Sequence, residues 1–165
     1  VRAVWFLTVC GTIAWLVLIF LAPWLAGRGA SGAARVVYAL FAPVCHQIAD
    51  RCFVFHGHPL AVCGRCLGVY AGFLAGLLFY PFARGFTRIA LPRARLFLFL
   101  TLPMALDGVG GILGIWRSPI GLRFATGFVW GTVLPFYLVA GLADLVRARK
   151  ERAAARALEK TASKK

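Results

Sequence analysis

Four stretches of nearly unbroken apolar residues, separated by short basic or polar connections, set the pattern of this chain. They are Val4–Ala26, about Leu60–Ala83, about Leu96–Trp116 and about Leu122–Val146. Each approaches the ~20 residues a membrane-spanning helix needs. Trp5 and Trp24 stand at the two ends of the first, where indole rings anchor at the bilayer interface. The uncharged run Ala3–Gly27 is too long for the apolar core of a signal peptide, so it reads as a retained span. Ser31–Pro59 is the longest connection. Its portion Ala33–Phe41 is helix-compatible but too short to span, and Pro43 disfavours a helix continuing beyond it. The predicted fold is therefore all-α and integral to the membrane: four transmembrane helices plus a short interfacial or re-entrant helix before Cys45.

Composition agrees. Of 165 residues, 61% are hydrophobic and the mean hydropathy is +0.82, against an apolar share of roughly 45–50% in soluble domains. The net charge of +14 would suggest nucleic acid in a soluble protein. Here the basic residues sit at the ends of apolar spans, where they act as topology signals and meet anionic lipid headgroups. Membrane lipids are thus the expected partners, and nucleic acid is not.

The connection Arg84–Arg95 carries four arginines, and the tail Arg147–Lys165 carries eight basic residues. Both fall on one side of a four-span chain, so both are expected to be cytoplasmic. The expected location is the cytoplasmic (inner) membrane with both termini inside and the long connection outside. Residues 1–146 would form one membrane domain and 147–165 a basic cytoplasmic helical tail. Gly68, Gly72 and Gly76 recur every fourth residue on the second span, and Gly127 with Gly131 on the fourth. Small residues at that spacing let helix backbones approach closely in lipid.

Against this apolar background, Cys45, His46, Cys52, His56, His58, Cys63 and Cys66 crowd into 22 residues, four of the five cysteines and all three histidines. Thiolate and imidazole are the ligands zinc favours. Cys63 and Cys66, at i and i+3 of a helix start, present sulfurs to one side. Cys45 and His46 would diverge on a straight helix, but a break near Pro43 could turn both inward. Together the four make a Cys3His set, a known closed zinc sphere. Zinc is the expected metal, with another transition metal as the alternative. Cys-x-x-Cys is equally a redox dithiol spacing. An outer-face location favours disulfides, and four outer cysteines permit three pairings. Metal, redox and inert packing all stand at this point. The absence of Cys-x-x-Cys-His argues against covalently attached haem. Cys10 reads as a small buried hydrophobe, and His56–His58 as an exposed turn.

A second polar set lies within or beside the spans. Asp107 falls about eleven residues into the third, near the bilayer centre, where an ionisable group is expensive and points to function. Arg65, Arg117 and Arg123 come from the outer ends of different spans, with Ser118 adjacent and Arg51 in the long connection. Guanidinium forks suit phosphate or carboxylate, so Asp107, Arg51, Arg65, Arg117, Ser118 and Arg123 form a candidate pocket for an anionic lipid or small-molecule ligand. The bland alternative is an Asp107–Arg123 ion pair that only locks the bundle.

The ordered combination Cys45-His46-Gln47, Val62-Cys63-Gly64-Arg65-Cys66-Leu67-Gly68-Val69-Tyr70-Ala71-Gly72, Asp107-Gly108, Ser118 and Arg123 resembles a family of predicted bacterial and archaeal membrane proteins of unknown function. The resemblance spans roughly residues 40–131. It implies a small multi-span membrane protein with no established activity. In that pattern the Cys66 position can hold Asp, which ligates zinc but forms no disulfide, so the resemblance favours metal. The Cys52 position usually holds Ser, which disfavours Cys52 as a ligand. Where the family has Gln and Asn after its Asp-Gly and Ser, this chain has Gly111 and Ile120.

Three functions follow from these residues. The first is a zinc site of Cys45, His46, Cys63 and Cys66 bracing the polar pocket. The second is a quinone-coupled thiol–disulfide oxidoreductase using Cys63 and Cys66, with Cys45 and Cys52 as relay. The third is a non-catalytic accessory subunit, packed against a membrane protein partner through its glycine faces.

Overall fold

The computed structural model describes residues 2–84 and 94–162. Its elements run α1 (Arg2–Gly27), α2 (Ser31–Phe41), a 3-10 turn (Ala49–Arg51), β1 (Val54–Phe55), β2 (His58–Pro59), α3 (Gly64–Arg84), α4 (Ala94–Ile112) and α5 (Ile120–Ala162). Four of these helices, α1, α3, α4 and α5, are long and apolar enough to cross a membrane. The protein is thus an all-α membrane protein with four candidate spans and a short helix before Cys45. Leu7, Phe82, Leu98, Phe99 and Ile112 are among many large apolar side chains left exposed, a surface that suits lipid rather than water.

The α3–α5 pair forms the spine, and the glycine rows explain it. A Cβ at Gly68, Gly72 or Gly76 would overlap the backbone of Phe124, Phe128 or Thr132. One at Gly127 or Gly131 would overlap the backbone of Arg65 or Val69. The two rows therefore meet each other within the chain. The expectation that the glycine faces hold a partner subunit is corrected on this point: that surface is already filled by the chain's own helices. Trp5 bridges α1 to α3 through its Nε1–H, which donates to the Leu77 carbonyl at 2.7 Å. Pro81, four residues on, has no N–H to claim that carbonyl.

One boundary differs from the sequence expectation in a way that matters. The third span ends at Ile112 rather than Trp116. Gly114 takes a left-handed φ of +71°, and the Ile115 N–H closes on the Gly110 carbonyl at 3.0 Å, the pattern of a Schellman cap. The cap turns the chain back so that Trp116 packs on Gly110, where no Cβ intervenes. The fourth helix continues unbroken from the bundle to Ala162, as the composition of the tail suggests. Most of the arginine-rich connection lies outside the described residues.

The long connection also contains a hairpin that the sequence reading did not anticipate. β1 and β2 pair antiparallel, Val54 with Pro59 and Phe55 with His58. The turn residues His56 and Gly57 both have positive φ, 51° and 79°, the requirement of a two-residue hairpin turn. Phe55 packs edge-on against Phe20 of α1. The hairpin is thus pinned to one end of the bundle, the end where α1 and α4 finish and α3 and α5 begin.

Candidate metal centre and adjoining cavity

At that end, Cys45, Cys63 and Cys66 bring their sulfurs within 4.8 Å of one another. The convergence has local causes. Helix α2 stops at Phe41, and the Val44 and Cys45 amides both close on the Phe41 carbonyl, at 3.1 and 3.0 Å. With Pro43 in that turn, the chain reverses and buries Cys45 beside Phe41, Leu60, Ala61 and Val62. Gln47, at φ +51°, then donates from Nε2 to the carbonyls of Tyr38 (2.7 Å) and Ala61 (2.9 Å). That side chain ties the end of α2 to the strand leading into α3. The Tyr38 hydroxyl adds a further tie by donating to the Pro59 carbonyl at 2.5 Å. Sequence reasoning placed Gln47 in a motif and gave it no role.

Cys63 and Cys66 flank the first turn of α3, and the Cys63 backbone N–H donates to the Cys45 sulfur at 3.2 Å. Hydrogen bonds from the Cys45 and Cys66 side chains hold the Cys63 thiol well below its ordinary pKa; burial opposes them, and the Cys66 and Arg65 amides assist. A helix N-terminus favours thiolate in the same way. A tetrahedral zinc bound at ~2.3 Å spaces its sulfurs about 3.8 Å apart, which this triad accommodates. Three sulfurs facing one point suit a metal better than a disulfide, which would satisfy two and leave the third buried beside them. The three cysteines could therefore hold a metal ion.

The remaining candidates separate. Of the adjacent pair, Cys45 is buried and joins the triad, while His46 is exposed and stands outside it, although it lines the same cavity as the three sulfurs. Cys52 is 2% exposed, donates its S–H to the Ile48 carbonyl at 3.2 Å, and stands outside the sulfur triad. Burial, with the charges of Cys45 and Cys63, pushes its thiol up to about 12, so it stays protonated. His56 occupies the exposed hairpin turn, as read from sequence.

Asp107 lies five residues before the end of α4, about 7.5 Å from it at 1.5 Å per residue. Its partner is Arg65 rather than Arg123. One carboxylate oxygen pairs with Arg65 Nη2, and the other accepts from Ser118 Oγ. The Schellman turn delivers Ser118 to that position. Arg123 sits behind them, 5% exposed, with its Nε–H donating to the Ser118 carbonyl at 3.0 Å.

Two cavities open here. One, about 440 Å³, is lined by the three sulfurs together with His46, Arg51, Arg65 and Arg123. The other, about 430 Å³, is lined by Asp50, Arg51, Trp116, Arg117, Ser118 and Arg123 among others. They share Ile48, Arg51 and Arg123. The candidate site is thus a sulfur triad and an arginine-lined hollow with a common wall. A third, largely apolar and more open cavity of about 460 Å³ lies farther along the bundle, between α1, α3 and α5, lined by Trp15, Tyr70 and Phe73 among others.

Comparison with known proteins agrees with this architecture. Residues 45–137 match a family model described as predicted membrane protein (DUF2085). An uncharacterized protein of Methanocaldococcus jannaschii is 36% identical over 126 residues, covering 73% of this chain and 81% of that protein. Another uncharacterized protein, from Methanothermobacter thermautotrophicus, is 35% identical over 91 residues, covering 55% of this chain and 80% of its own length. No solved structure matches the chain.

Proposed function

The chain belongs to the DUF2085 family of predicted membrane proteins, and on that premise we propose that it is a metal-binding protein of the cytoplasmic membrane whose zinc centre walls an anion-binding cavity. The observation that carries this reading is the convergence of Cys45, Cys63 and Cys66 on a cavity that Arg65 and Arg123 also line. Three thiolates leave one zinc position for a fourth ligand. His46 lines the same cavity outside the sulfur triad and would supply that ligand by turning inward, which would make the metal structural. With His46 exposed as it stands, the position would be open to water or to an anion held by the arginines, the arrangement in which zinc acts as a Lewis acid. Asp107, Arg65 and Ser118 brace the cavity, joining α4, α3 and the α4–α5 turn. The Lys/Arg distribution supports both termini inside and the site on the outer face.

The test is metal content. Purified protein should carry about one zinc per chain. Cys45→Ser, Cys63→Ser and Cys66→Ser should each lower that content sharply, while Cys52→Ser should keep it. Metal-free wild type with a disulfide between two of the triad cysteines would defeat the proposal.

A second reading is favoured by the apolar cavity between α1, α3 and α5. Tyr70 lies four residues after Cys66 on α3, so it shares a helix face with that sulfur. With Trp15 and Phe73 it makes an aromatic wall suited to a quinone ring. In such an oxidoreductase, two triad thiols would form a disulfide and the quinone would take up both protons and both electrons. Quinol production dependent on Cys63 and Cys66, in metal-free protein, would favour this reading over zinc.

A further inference from the structure

Arg123 is an arginine with 5% of its surface exposed, yet its Nε bond to the Ser118 carbonyl is the one side-chain hydrogen bond it makes among the described contacts. Its guanidinium lies on the common wall of the two cavities, with Nη2 beside Gly111, where no side chain intervenes. Among the described contacts the nearby Asp107 carboxylate is bonded to Arg65 and Ser118, and it reaches Arg123 only through its charge. Arg51 and Arg117 face the same hollow. Among the described residues none of Arg51, Arg117 and Arg123 is in a salt bridge. Asp50 is the single acidic residue lining that hollow, so three guanidinium groups and one carboxylate leave two positive charges facing the space.

We propose that this cavity binds a dianionic tetrahedral oxyanion of the phosphate-monoester class, with buried Arg123 as its anchor and Arg51 and Arg117 as its outer clamps. This inference rests on the reading of the hollow as an anion site and is independent of the metal. Charge selects the class: a phosphate monoester carries close to two negative charges near neutrality, matching the uncompensated pair, whereas a carboxylate or a phosphodiester carries one. Geometry selects it too. A planar carboxylate offers two oxygens, while a terminal phosphoryl group offers three, enough to engage three forks approaching from the long connection, the α4–α5 turn and the first turn of α5. The α5 N-terminus adds its positive dipole end at Ser118–Arg123. The hollow, at about 430 Å³, has room for such a group with part of its ester. The ester could belong to a lipid headgroup or to a soluble molecule.

The experiment uses the full chain in phosphatidylcholine nanodiscs, with inorganic phosphate titrated by calorimetry and zinc content measured on the same samples. Wild type should bind phosphate saturably, with acetate at equal concentration a poor competitor. Arg123→Gln should weaken phosphate at least tenfold with zinc content unchanged. Arg117→Gln, an exposed position that folding should tolerate, should weaken it about threefold or more. Nanodiscs containing phosphatidic acid should displace phosphate if the source is a lipid monoester. Unchanged phosphate affinity in that lipid, with saturable binding kept, assigns the site to a soluble monoester. Phosphatidylglycerol, a diester, should not compete. Absence of saturable phosphate binding in zinc-replete wild type, or equal affinity in wild type and Arg117→Gln, would overturn the proposal. Loss of zinc with phosphate binding intact would strike the metal reading alone.

Discussion

Replacing Asp107 by Asn would test whether the Asp107–Arg65–Ser118 network holds the bundle together. Asn can still accept from Ser118 Oγ, but its amide presents an N–H to Arg65 Nη2, another donor. Arg65 would then lose its only counter-charge, and its Nε is already buried without a partner among the described residues. Breaking a buried ion pair from one side costs about 3–5 kcal/mol. The Arg65 side chain keeps 20% exposure, so its head reaches some water or headgroup; the lower end, about 3 kcal/mol, is the expected cost. That is a roughly 150-fold shift in the folding equilibrium. Arg65→Gln alone should cost less, about 2 kcal/mol, because Arg123 stays close to the orphaned carboxylate. The double variant Asp107→Asn with Arg65→Gln removes both charges and should return to within about 1 kcal/mol of wild type. Reversible denaturant unfolding in bicelles, read by tryptophan fluorescence, supplies all four corners of the cycle. Additive single costs, with no coupling between positions 65 and 107, would refute the assignment of this pair as the α3–α4 lock.

Gly72→Val should destabilise the protein by at least the ~1–3 kcal/mol of overpacking, since its side chain meets the Phe128 backbone. Gly11→Ala, with nothing within 4 Å, should be neutral or mildly stabilising in the same denaturant assay. Zinc should be lost as pH falls, because protons compete with the metal for thiolate. Retention titrated from pH 8 to 5 should decline earlier in His46→Ala if imidazole is the fourth ligand, and a coincident curve would exclude His46. For topology, an impermeant thiol reagent applied to intact cells after metal chelation should label a variant retaining only Cys45. Labelling only after the membrane is opened would reverse the proposed orientation.

Span number, glycine packing and the neighbourhood of the cysteine cluster were legible in the sequence because each is a local property. A run of about 20 apolar residues is long enough to cross a bilayer whatever its neighbours do. Gly68, Gly72 and Gly76 share a face by helical geometry alone, and Cys63 and Cys66 share a side for the same reason. What periodicity does not encode is which end groups meet after the helices pack. Four arginines could have reached Asp107; the choice of Arg65 follows from α3 crossing α5 at its glycines and from α4 stopping four residues early at Gly114. Likewise Cys45 and His46 are adjacent in sequence, and only the reversal after Phe41, held by the positive φ and twin hydrogen bonds of Gln47, turns one inward and the other out. Cysteine spacing and apolar spans are written in the sequence; the tertiary structure alone chose which side chains meet, because those choices depend on backbone turns of one or two residues and on contacts between segments distant in the chain.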